Sequence, residues 1–396
     1  MVRRRRLLTS GATLIAAGLA GCIGGDSDSG SDSETPKATD QTDSSAETDK
    51  SGDDESYTVT VKPNPPYTFE QVPETYAVIP SVWMDIGMAL GKQPTATASL
   101  GRAPSKFYKW LPDVSFNEDE ITKLASDSEA GFDKENFYKA DCDVHLIDPQ
   151  MLKFYADWND ADIEEITNGA GPFLGSSIRF ASSSVTEDSP SYDLYDVFEK
   201  AAKIFQRTER FHAWESFHSD VMDSIEAKLP PEDERPTVAA VWRGVNPDSG
   251  QFRIAELHPL QNNTVTYRRL GMKDAFAGNI PDGPIGYEEL LRVDPDYIGA
   301  VGGLTSLSQQ EFIDTVVEPF ENNANGQDLT AVQEGNLVRT GGQFMGPIVD
   351  LFSTEALAKM VYPEKFGDWP GSSNDVPNSE QLFDRQALAD IINGNR

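Results

Sequence analysis

Cysteine is almost missing from this sequence, with only Cys22 and Cys142 in 396 residues. A disulfide framework is thereby excluded, and Cys142, flanked by the strand-like Val144-His145-Leu146-Ile147, reads as a buried and inert thiol. Histidine is equally scarce. The four present are His145, His212, His218 and His258, and His212 and His218 fall six apart, on different faces of any helix. A zinc or manganese site needs converging histidine and carboxylate ligands, so no resident metal or other cofactor is expected. Basic residues number 33 against 65 acidic ones, for a formal charge of -32. Such a surface repels polyanions and argues against a nucleic-acid partner. The G-x-S-x-G, H-E-x-x-H, G-x-x-x-x-G-K-[ST] and C-x-x-C patterns are all absent, which removes the commonest hydrolase, zinc-protease, nucleotide-binding and redox readings. Neither repeats nor sandwich-like strand patterning appear, so an adhesive or structural surface protein is not favoured. Carboxylate pairs such as Glu164-Glu165 and Glu288-Glu289 read as solvated surface in so acidic a chain.

No apolar run is long enough to be read as a membrane span. The run from Leu7 to Ala20 is short and rich in Gly and Ala, and it follows Arg3-Arg4-Arg5-Arg6. Basic, apolar and Cys elements in this order read as a twin-arginine-type signal peptide over 1–22. Leu19-Ala20-Gly21-Cys22 resembles a lipobox, which makes Cys22 the lipidated first residue of the mature chain. Residues 23–56 are Ser, Thr, Asp, Glu and Gly with almost nothing apolar to bury, and are expected to be a disordered acidic tether. The scattered acidic residues resemble the hydrated surfaces of proteins from salt-loving organisms.

A globular composition starts at Tyr57. Thr75-Tyr76-Ala77-Val78-Ile79, then Pro80-Ser81, then Val82 to Leu90 and Gly91 reads as strand, tight turn and helix. Further strands are expected at Thr95–Ala98, Asp143–Ile147 and Pro172–Leu174, giving an N-terminal α/β lobe over 57–190. Tyr192 to Leu229 has no Pro or Gly and carries apolar residues three and four apart, which predicts one long amphipathic helix over 191–230. Pro230-Pro231 ends it. A second α/β lobe follows over 231–366, with strands Thr237–Val241 and Tyr297–Val301 and helices near Thr264–Leu270 and Tyr287–Arg292, before a C-terminal tail over 367–396. The fold class expected is α/β, two lobes joined by one long helix.

Several motifs match one family in the correct order. Pro80-Ser81 with Asp85-Ile86 and Ala89-Leu90-Gly91 resembles the first strand-loop-helix of class III periplasmic binding proteins, which serve ABC importers of ferric siderophores, haem and cobalamin. Arg269-Leu270-Gly271-Met272-Lys273-Asp274-Ala275, then Gly286 to Leu291 with Asp294-Pro295-Asp296, and Leu329 to Leu337 resemble three later segments of that family. The resemblance spans Thr75 to Val361. It implies a non-enzymatic, monomeric solute-binding protein of the haloarchaeal lipoprotein type, held outside the cytoplasmic membrane by its lipid. Its ligand, a ferric siderophore, haem or corrinoid, would sit between the lobes and pass to a permease and its ATPase, with little hinge motion. A tethered secreted hydrolase on a related two-lobed fold is the alternative.

Ligands of open α/β lobes sit beyond the carboxyl ends of the strands. This selects Trp83, Arg102, Tyr108 and Trp110 in the first lobe and Trp242, Arg243, Tyr267 and Phe344 in the second as ligand contacts. Aromatic faces cover an organic ligand, and guanidinium groups bind its oxygens through planar, charge-assisted bonds. The family presents one acidic residue per lobe to the permease. The matching positions are Asp85, where the family usually has glutamate, and Glu288, each expected near an exposed helix start. Extra sequence at Asp119–Asn136 and Gly250–Asn263 departs from the family and is expected to reshape the cleft. Cys22→Ser should release the protein from the membrane or leave its leader uncleaved, as read by fractionation and intact mass; a membrane-bound product of unchanged mass would contradict the lipobox.

Overall fold

A computed structural model describes residues 56–79, 81–98, 104–125, 131–176, 192–242, 247–257, 262–342 and 345–396. Cys22, the leader and the tether lie outside these residues. The described chain opens with a hairpin of β1 (Tyr57–Val59) and β2 (Tyr67–Phe69), paired antiparallel with Tyr57 opposite Phe69. Val59 and Phe69 are its buried face, and the Tyr57 hydroxyl donates to Ile204 O at 2.6 Å.

Strands β3 (Tyr76–Ile79), β4 (Ala96–Thr97), β5 (Thr122–Lys123) and β6 (Val144–Ile147) form the first sheet, in the order β5-β4-β3-β6 and all parallel. The second sheet, from β7 (Thr237–Val241), β8 (Lys273–Asp274), β9 (Tyr297–Ala300) and β10 (Leu337–Arg339), is also all parallel, in the order β10-β9-β7-β8. Two of the central strands, β3 and β7 from Val238 onward, are buried apolar runs, as expected of a parallel sheet covered on both faces.

Among the described residues, nine helices have seven or more residues: α1 (Ser81–Ala89), α2 (Lys134–Ala140), α3 (Pro149–Ala156), α4 (Asp160–Ala170), α5 (Leu194–Ile204), α6 (Thr208–Glu226), α7 (Tyr287–Val293), α8 (Pro347–Val361) and α9 (Arg385–Asn393). The main core runs through both lobes and these connecting helices. Smaller cores line the outer face of each sheet, one around Phe137 and Trp158 and the other around Phe252 and Phe320. Cys142 is a buried free thiol, and burial pushes its pKa up to about 12.

The single helix expected over 191–230 is two helices. α5 stops at Ile204, and Gln206 takes a left-handed φ of 50° before α6 begins. Tertiary packing outweighs the local helical pattern here. Phe205 turns into the first lobe to meet Tyr76 edge-on at 4.9 Å, and the Arg207 N–H closes the end of α5 on Ala202 O at 2.8 Å. The guanidinium groups of Arg207 and Arg210 both donate to Leu90 O, at the negative end of α1. α6 carries the chain from the first lobe to the second, and at ~1.5 Å per residue its 19 residues reach about 28 Å.

Residues 367–396 are not a tail. Asp384 caps α9, accepting from the backbone of Gln386 and Ala387, and α9 buries Leu388, Ile391 and Ile392 against α6 and α1. Helix α8 is buried nearly throughout and touches elements of both lobes, α1 on one side and the Val265–Arg269 helix on the other.

Asp85 is likewise not an exposed docking acid at a helix start. It lies mid-way along α1, is fully buried, and its Oδ2 accepts from Ile348 N and Val349 N at 2.9 and 3.1 Å, capping the first turn of α8. Gly346 permits this approach, since a Cβ there would stand 2.4 Å from the Asp85 Cβ. Burial pushes the Asp85 pKa up to about 7, against the opposing pull of the two backbone donors. A carboxyl with a raised folded pKa stabilises most below its unfolded value, here 3.8, and the contribution is lost as pH rises through about 7. The melting-temperature advantage of the protein over Asp85→Asn should therefore shrink between those two pH values and stay constant above; a difference that does not change with pH would contradict the burial effect.

Candidate functional site

Two parallel sheets present their strand carboxyl ends as loops, the place where such lobes hold ligands. In the first lobe these ends are Ile79, Thr97, Ile147 and the chain through Gly175-Ser176; in the second they are Val241-Trp242, Ala300 to Thr305 and Arg339 to Gly342. Arg102, Arg243 and Phe344 belong to this set by sequence position and lie outside the described residues.

Three of the expected contacts are core residues instead. Trp83 is fully buried in α1 and its indole N–H donates to Ser176 O at 3.2 Å. Tyr108 is fully buried, edge-on to Phe116 at 5.2 Å, and burial beside Asp85 holds its phenol well above the ordinary pKa. Tyr267 is fully buried and receives a hydrogen bond from the Thr340 hydroxyl at 3.2 Å. All three are taken into the main core, where burying a ring gains more than leaving it in a solvent-filled cleft.

The remaining aromatic candidates keep an accessible edge. Trp110 is half-buried, edge-on to Phe107 and Phe352 at 5.0 and 5.5 Å. Trp242 is half-buried directly after β7, and its backbone N–H donates to Arg253 O at 2.9 Å. That bond belongs to a device within the second inserted segment. β8 pairs only with the first two residues of β7, and the segment around Phe252 to Ala255 pairs antiparallel with the rest through the Val241–Ile254 bridge. An edge that would otherwise expose unpaired backbone is covered, and Trp242 is held at its rim. The first inserted segment supplies β5, the outer strand of the first sheet.

Lys106 was not selected from the sequence and forms a direct polar link between the lobes. Its ammonium, 5.4 Å from the Phe107 ring centroid, donates to Leu304 O at 2.5 Å in the turn after β9. Burial, and then the Arg339 charge, lower its pKa to about 8. A lysine directly before Phe107, Tyr108 and Trp110 in so acidic a chain was the available signal. Arg339 is structural, donating to Leu307 O, Gln309 Oε1 and Gly371 O at 2.8 Å each.

The described histidines do not converge. His145 is buried against Phe137 and Phe173, its Nδ1–H donates to Gly171 O at 3.0 Å, and burial lowers its pKa to about 4. His212 is exposed beside Glu215, and His218 approaches Asp350 at 3.3 Å. Among the described residues no group of His, Cys, Asp or Glu is arranged to hold a metal ion, and no helix is long and apolar enough to cross a membrane.

The family model described as periplasmic binding protein matches residues 148–344, just under half the chain and including α6 and most of the second lobe. The fold is that of the periplasmic binding proteins. Solved structures with the same fold include the triscatecholate siderophore binding protein FeuA of Bacillus subtilis, solved with ferri-bacillibactin, at TM-score 0.52 and 14% identity over 79% of this chain and 99% of that one. The petrobactin-binding protein YclQ of the same species gives TM-score 0.52 and 14% identity over 85% and 99%. A periplasmic binding protein of Veillonella parvula gives 0.54 and 17% over 78% and 99%. No curated protein matches the sequence. Among the described residues the lobes are tied through α6, through the Asp85 cap on α8, and through Lys106 to Leu304. Hinge opening would have to break buried hydrogen bonds at the last two.

Proposed function

We propose that this is the extracytoplasmic solute-binding component of an ABC importer, taking a ferric siderophore or related metal chelate between its lobes. The observation that carries this reading is the pair of all-parallel sheets tied by α6 and α8 and by the Lys106–Leu304 bond, with Trp110 and Trp242 only half-buried. Relatives of the same fold described as binding triscatecholate and petrobactin siderophores support the chelate class. Among the described residues the histidines do not converge, which favours iron carried inside a chelator over direct ligation. Arg102, Arg243 and Phe344 complete the proposed contact set from adjoining loop positions, and Lys106 adds a cation for ligand oxygens. In this reading the protein is an exported monomer anchored through a lipidated Cys22, and its charge of -32 suits a salt-rich exterior.

Tryptophan fluorescence titration with ferric catecholates, ferric hydroxamates, haem and corrinoids tests the assignment. One of these should saturate, and Trp242→Ala or Arg243→Ala should weaken it by about 2 kcal/mol with the fold intact. Saturation by none would remove the chelate class.

Glu288, exposed in the first turn of α7, is proposed as the permease-facing acid of the second lobe. Burial of Asp85 leaves the first lobe's counterpart unassigned. Glu288→Lys should abolish uptake by cells while chelate affinity of the purified protein stays unchanged; normal uptake would place the interface elsewhere.

A further inference from the structure

A cavity of about 560 Å³ lies between α6 and the Val265–Arg269 helix, and three arginines line it in a chain with twice as many acidic as basic residues. Its place in the fold separates it from the cleft. Arg235 comes just before β7, and Arg268 and Arg269 just before β8, so the cavity is at the amino ends of the second sheet. The cleft is at the carboxyl ends.

The three guanidinium groups are held differently. Arg269 is committed, since it donates to Asp350, which His218 also approaches. Burial alone would raise the Asp350 pKa, but Arg269 and His218 together hold the carboxyl below its ordinary value, so this charge pair is closed. Arg268 is pressed by burial and then by the Arg269 charge, both of which lower its pKa. Arg235 donates its Nε–H to Pro230 O at 3.0 Å, which orients the group, and among the described residues it forms no ion pair. Its stem passes over Gly271, whose φ of 67° and missing Cβ make room: a Cβ there would stand 2.5 Å from Arg235 Cδ. Glu215 and Glu226 also line the cavity but are exposed, so solvent screens their charge.

We propose that this cavity is a binding site for a small multivalent oxyanion, with Arg235 and Arg268 as its ligands and Arg269 held back by Asp350. Planar guanidinium groups suit phosphate and sulfate geometry through paired N–H donors. An anion there would also link the C-terminal half of α6 to the second lobe.

The test uses the purified protein in low-chloride buffer, titrated calorimetrically with inorganic phosphate and with sulfate, with chloride at matched ionic strength as control. Thermal denaturation runs in parallel. Saturable one-site binding that raises the melting temperature is expected, about tenfold weaker in Arg235→Gln and in Arg268→Gln, as for loss of a hydrogen bond to a charged group. Ser219→Asp, which adds a carboxylate on the exposed side of the cavity, should weaken it comparably and carries the test if an arginine variant fails to fold. Binding no stronger than chloride, or undiminished in Arg235→Gln or Ser219→Asp, would overturn the proposal.

Discussion

Helix α8 is the element on which the rest of this structure depends. It is buried almost end to end, yet it carries Asp350, Ser353, Thr354, Glu355 and Lys359. A polar group taken from water destabilises the fold unless it finds a partner, and a buried charge does so more strongly. Four of the five have one. Asp350 faces Arg269 and His218; Ser353 accepts from Gly341 N at 2.7 Å; Glu355 accepts from Leu382 N and Arg385 at 2.9 and 2.8 Å; Lys359 donates to Phe366 O at 2.5 Å. With Asp85 on its first turn, α8 is fastened to the first lobe, the second lobe and the C-terminal segment at once.

Such fastening has a mechanical consequence. Relative rotation of the lobes would separate Asp85 from two backbone donors and Lys106 from Leu304 O, leaving buried groups unpaired. The cleft is thus preorganised, and in the proposed function ligand capture would rely on side chains and loops at its rim more than on a large closure. Preorganisation favours affinity because less ordering accompanies binding. It also fits the proposed carrier role, in which a nearly constant surface would face a permease.

How far the site could be read from sequence depended on what fixes each residue. β3, β7, β9, α1 and α7 were legible because apolar runs and their turn signals are local. The break between α5 and α6 was not, since Gln206 reverses the chain only because Phe205 and Arg207 find partners in β3 and α1. Trp83, Tyr108 and Tyr267 were misplaced for a related reason: sequence locates a residue near a strand end but leaves open which side of the sheet its ring takes. Lys106 went unnoticed because its importance comes from Leu304, nearly two hundred positions away.

The sequence by itself determined the acidic composition, two α/β lobes in order with a helix between them, and the absence of the common catalytic patterns. These follow from composition, short-range periodicity and local motifs, each expressed within a few residues. Only the tertiary structure decided that Asp85 faces inward to cap α8, that residues 367–396 return to the core, and that Trp110 and Trp242 keep an exposed edge while three other aromatic candidates do not. Those outcomes are set by competition among distant surfaces for the same apolar area and the same buried donors, which no local pattern encodes.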